Sequence, residues 1–115
     1  MNPSKYLNGL EQKNRELGIK NDEYSKLLQE RAEAERDYKI AYAKKILSLK
    51  SEGYPATLTT QLAAGDKFVA ELKFAMDVKD AIATACRESM RNITSMLESY
   101  RSILSWLKSE MGHSK

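Results

Sequence analysis

Glycine and proline are placed so sparingly in this chain that their positions nearly dictate its organisation. They occur only at Pro3, Gly9, Gly18, Gly53, Pro55, Gly65 and Gly112, so residues 19–52 and 66–111 contain neither. A glycine inside a helix costs ~1 kcal/mol and a proline ~3 kcal/mol, and both stretches are rich in Ala, Leu, Glu, Lys and Arg, so each reads as a helix. Two valines and two phenylalanines leave few strand formers. The expected fold is all-α, a single helical domain over residues 1–115. Its first arm covers about 4–52, a bend about 53–65, and its second arm about 66–111.

The bend is marked by Gly53, Tyr54, Pro55 and Gly65. A glycine suited to the left-handed position after a helix, with a proline just beyond, stops the first arm. Thr57 is placed to cap a short helix over Leu58–Ala64, and Asp66 to cap the second arm. At 1.5 Å per residue each arm extends roughly 70 Å, so the two match in length as an antiparallel helical hairpin. Gly18 leaves two readings open: one first helix, continuous or kinked, or a true break with Asn21 or Asp22 capping a second helix.

Heptad columns support the arms. With Leu72 as position a, column a reads Leu72, Lys79, Cys86, Ile93, Tyr100, Leu107. Column d reads Ala75, Ile82, Ser89, Met96, Ile103, Glu110, and column e reads Met76, Ala83, Met90, Leu97, Leu104, Met111. Three columns make a stripe wider than a two-stranded coiled-coil seam. On the first arm, column a runs Leu10, Leu17, Tyr24, Arg31, Tyr38, Lys45, with Tyr6, Leu27, Ala34 and Ala41 in d and Leu7, Leu28, Tyr42 and Leu49 in e. The expected hairpin core is Tyr38, Tyr42 and Leu49 against Leu72, Met76, Ile82, Met90, Ile93, Leu97, Tyr100 and Leu104. Folding at 53–65 sets Leu49 near Val69, Tyr42 near Met76, Leu17 near Tyr100 and Leu10 near Leu107. Of the charges in the columns, Glu35 and Lys79 form the expected register-fixing pair.

Two helices bury one side of each wide stripe and rarely offset the entropy of ordering, roughly 1 to 2 kcal/mol per residue. A second apolar face lies near the bend, at Ile40, Ala43 and Leu47 on the first arm and Phe74, Val78, Ala81 and Ala85 on the second. Ile40, Leu47, Phe74, Val78, Ala81, Ala85 and Trp106 are therefore the candidate oligomer or partner interface. The expected partner is a second copy, the homodimer forming a four-helix bundle.

Chemistry-bearing patterns are thin. Glu110 and His113 form one Glu-x-x-His, interrupted by Gly112, in a chain with a single histidine, whereas a di-iron bundle needs two such units and two further carboxylates. No two glycines are close enough for a phosphate-cradling loop. Cys86 lies within an apolar stripe and reads as a small buried hydrophobe. Asn92-Ile93-Thr94 matches a glycosylation acceptor but falls mid-helix. Gln61-Leu62-Ala63-Ala64-Gly65-Asp66 weakly resembles the turn of a helix-turn-helix, but the helix after it is too long for a compact recognition unit. No catalytic residue, metal ligand or cofactor site is assigned, and no enzyme is expected.

The net charge of +3 hints at nucleic acid. It arises in residues 1–21, with four bases against two acids, and at Lys115, since 22–52 and 66–111 each balance seven acids with seven bases. The longest uncharged run, Gly53 to Gly65, falls far short of the ~20 residues of a bilayer span, and Met1 to Gln12 lacks the pattern of an export signal. A cytoplasmic protein without membrane contact is expected.

Three runs then carry a resemblance: Arg31-Ala-Glu-Ala-Glu-Arg-Asp-Tyr38, Ala43-Lys-Lys-Ile-Leu-Ser-Leu-Lys-Ser-Glu-Gly-Tyr-Pro55, and Leu62-Ala-Ala-Gly-Asp66 with Ala70-Glu-Leu72. Over roughly residues 28–80 the chain resembles uncharacterised small helical proteins of phages and prophages of Gram-positive bacteria. That resemblance implies a phage or prophage origin, the host bacterial cytoplasm, and a host or phage protein as partner; it assigns no functional residue. The functional expectation is a non-enzymatic protein–protein interaction module. The alternative is an accessory to recombination or replication that touches DNA through scattered basic side chains.

Overall fold

The computed structural model describes residues 2–113, His113 by its backbone alone. It is all-helical, with α1 (Pro3–Ser51), α2 (Ala56–Gly65) and α3 (Lys67–His113) in chain order. α1 begins where the Asn2 carboxamide oxygen accepts the Ser4 amide at 3.0 Å, and Pro3, with no N–H to lose, occupies the first turn. It passes through Gly18 as unbroken helix, which resolves the two readings of that position.

α1 stops at Gly53, whose φ of +97° a side chain would resist. The Gly53 amide donates to the Lys50 carbonyl at 3.0 Å and the Tyr54 amide to the Leu49 carbonyl at 3.2 Å, the paired bonds of a Schellman end. α2 starts two residues earlier than expected from Thr57. Pro55 sits at its N-cap with no side-chain bond, since its hydrocarbon ring offers no acceptor, though the ring does fix φ near the −61° seen there, and the Thr59 hydroxyl donates to the Ala56 carbonyl at 2.8 Å. Asp66 does cap α3: its carboxylate accepts the Val69 amide at 3.1 Å.

The chain forms two compact units. In the bend unit, Lys26–Thr84, the second half of α1 pairs antiparallel with the start of α3, and α2 lies between them in sequence. Its buried residues are Leu49, Thr59, Ala63, Val69 and Ala83. Across its helices Arg31 pairs with Asp80, Lys79 with Glu30 and Lys45 with Asp66, and the Lys73 ammonium lies 5.7 Å from the centre of the Tyr38 ring.

In the terminal unit, residues up to Ser25 pack with residues from Ala85 onward. Cys86, Ile93, Leu97 and Leu107 are buried there. The Tyr6 and Tyr100 rings meet at 6.3 Å, Tyr100 presses on the bare Cα of Gly9, and the Cys86 thiol points to the Lys20 carbonyl at 3.7 Å.

Three expectations are corrected. Within each unit α3 buries columns a and e, while column d is mostly exposed; Ile82, expected in the core, is 43% exposed. One neighbouring helix grips two columns in a 4-3 alternation, so the third is left on the flank. The register differs by about one heptad: Met76 borders a groove with Arg31 and Glu35 rather than facing Tyr42, and Tyr100 rests on Tyr6 and Gly9 rather than Leu17. Sliding a helix by seven residues keeps stripe against stripe, so the pattern alone permits both registers. Glu35 pairs instead with Lys39 at 2.9 Å on its own helix, while Lys79 takes Glu30 at 3.2 Å.

Candidate protein-interaction surface

The bend unit has two unlike flanks, set by which heptad columns border the seam. On one flank Arg31 and Glu35 of α1 meet Lys73, Met76, Asp77 and Asp80 of α3 around a charged groove. The charges there satisfy one another locally. The hydrogen bond and charge of Lys39 hold the Glu35 carboxyl below its ordinary value, and the bond to Asp77 raises the Lys73 ammonium above its own.

On the other flank Ile40 and Ala41 of α1 and Phe68 and Leu72 of α3 line an apolar groove, with Asp37 and Lys44 at its α1 edge. Phe68 also borders the adjoining groove of Ala41, Lys45, Ser48, Asp66 and Val69. Along α3 this flank continues in sequence through Ala75, Val78 and Ile82, a second 3-4 series beside the buried seam. Phe74 is 70% exposed, Phe68 63% and Leu47 67%, while Ile40, Val78, Ala81 and Ala85 are also exposed.

The remaining expected residues fall as follows. Leu49, Ile93 and Leu97 are buried, and Tyr38, Tyr42, Leu72, Met76, Met90, Tyr100 and Leu104 are half-buried. Trp106 belongs to the terminal unit, where it is 55% exposed beside Tyr6, Ser102 and Ile103. It is therefore separate from the bend unit, which holds Ile40, Leu47, Phe74, Val78 and Ala81; Ala85 likewise belongs to the terminal unit. Sequence reasoning missed Phe68 and placed Ile82 in the core. Column d extended one heptad before Ala75 reaches Phe68, so the signal was present.

Among the described residues no group of His, Cys, Asp or Glu is arranged to hold a metal ion, and no helix is long and apolar enough to cross a membrane. The His113 side chain of the Glu-x-x-His pattern lies outside the described residues. No family model, curated protein or solved structure matches the chain.

Proposed function

We propose that this protein is a non-enzymatic protein–protein interaction module that acts through the apolar flank of its bend unit. Its first partner is a second copy, the dimer closing a four-helix bundle, and a host or phage protein is bound by the assembled module.

One observation carries the reading. Ile40, Leu47, Phe68, Phe74, Val78 and Ile82, each between 37% and 70% exposed, share the bend unit. Burial at roughly 25 cal/mol per Å² of apolar surface supplies the drive for docking.

Sedimentation equilibrium tests this. The expected result is a mass that rises with concentration from the 13.1 kDa chain toward twice that value. A monomer mass at every concentration overturns the dimer. Tight DNA binding that weakens steeply with salt would transfer the function to nucleic acid.

A further inference from the structure

We infer that two copies dock antiparallel about a two-fold axis passing between Ile40 and Ala41 of α1, with Asp37 of each copy opposite Lys44 of the other. This inference rests on the dimer proposed above and specifies its geometry.

Asp37 and Lys44 occupy the same heptad column, two turns apart, and both edge the groove whose apolar wall includes Ile40 and Ala41. A two-fold axis midway between them exchanges position 37 with position 44. An antiparallel pair of α1 helices thus gains two opposite-charge meetings, whereas parallel docking at this level sets acid against acid and base against base. Neither group is tied to another helix. Lys44 has no ion pair among the described residues, and Asp37 has only an exposed contact with its neighbour Arg36.

The same axis accounts for the apolar side chains farther along the flank. The Arg31–Asp80 and Tyr38–Lys73 contacts fix the register of the unit, putting Val78 of α3 roughly level with residue 33 of α1. Rotation by 180° about the axis sets that level against residue 48 of the other copy. Leu47 and the bend of one copy therefore arrive beside Val78 and Ile82 of the other, and Phe68 lies close to the axis. The overlap is confined to the bend unit, where these exposed residues are found.

The test is charge reversal in the full chain, read as the dimer dissociation constant. Asp37→Lys and Lys44→Asp each create two like-charge meetings and are expected to weaken association by about tenfold or more. The double variant Asp37→Lys/Lys44→Asp restores the pairs with their signs exchanged, so it should return to within about threefold of the parent. Asp77→Lys, on the charged flank, should leave association unchanged. A second measurement uses Ile40→Cys: at the axis it should form a disulfide-linked dimer under mild oxidation, while Ile19→Cys in the terminal unit should not. A parent that dimerises while the double variant is no tighter than either single one overturns this geometry and leaves the proposed function standing. A parent that stays monomeric overturns both.

Discussion

The two units solve one packing problem with different side chains. In the terminal unit the α3 seam is built from Cys86, Met90, Ile93, Leu97, Tyr100, Leu104 and Leu107, large groups that fill the space against one helix. The two outward columns beside it mix Ser89, Asn92 and Ser99, whose hydroxyl donates to the Ser95 carbonyl, with exposed Met96 and Trp106. In the bend unit the seam includes Lys79 and Ala83 against Arg31 and Ala34, and ion pairs contribute to the contact. The outward face there is the greasier one, with Phe68, Phe74, Val78 and Ile82. Apolar substance has been moved from the intrachain seam to the flank. That is a poor arrangement for an isolated helix pair and a suitable one for a surface that is covered after docking.

Substitutions can break this contrast. The largest effect is expected at Leu97, 2% exposed: Leu97→Ala should cost ~2–5 kcal/mol in urea unfolding at high dilution. Under the same conditions Ile82→Ala should cost less than about 1 kcal/mol, its larger effect appearing at concentrations where copies associate. Equal losses at the two sites when dilute would erase the distinction between seam and flank.

Next in size is Gly53→Ala. It forces a side chain into the left-handed region at φ +97° and should lower the urea midpoint by an amount corresponding to about 1–2 kcal/mol. Within the terminal unit, Gly18→Ala should raise stability by about 1 kcal/mol, since an added methyl group meets nothing within 4 Å. Gly9→Ala should gain less, both read as thermal-melt midpoints, because its Cβ would lie 3.0 Å from the Tyr100 ring.

The smallest expected effect is at Asp66. The Val69 amide first, and then Lys45, hold its carboxyl below the ordinary value. The ionised cap is thus more favourable in the folded chain than in the unfolded one. Its contribution is complete above the unfolded-state value, about 3.9, and is lost as pH falls through the lower folded value. Asp66→Ala should lower the urea midpoint slightly at neutral pH and flatten its decline in acid. An unchanged acid profile would show that the cap carries none of that dependence.

Much of the local structure was legible. Gly53 ends α1, Asp66 caps α3, and the breaker-free stretches are helices, because each depends on a few adjacent residues. The apolar flank was partly legible too, through Ile40, Leu47, Phe74 and Val78. Ile82 and Phe68 were misjudged because three adjacent apolar columns do not announce which two a neighbour will take. The Glu30–Lys79 pair was missed because it depends on register, and a one-heptad slide leaves the pattern unchanged.

Sequence by itself determined what propensity and capping can determine: helical state, helix ends, and the presence of more apolar surface than one partner helix can cover. Tertiary structure decided the register and therefore which columns face inward. Those depend on non-local contacts, Asp66 with Lys45 at the bend and Tyr100 on Gly9 in the terminal unit. A heptad repeat is symmetric under its own translation, so only such singular contacts, which the repeat does not contain, can choose among its equivalent alignments.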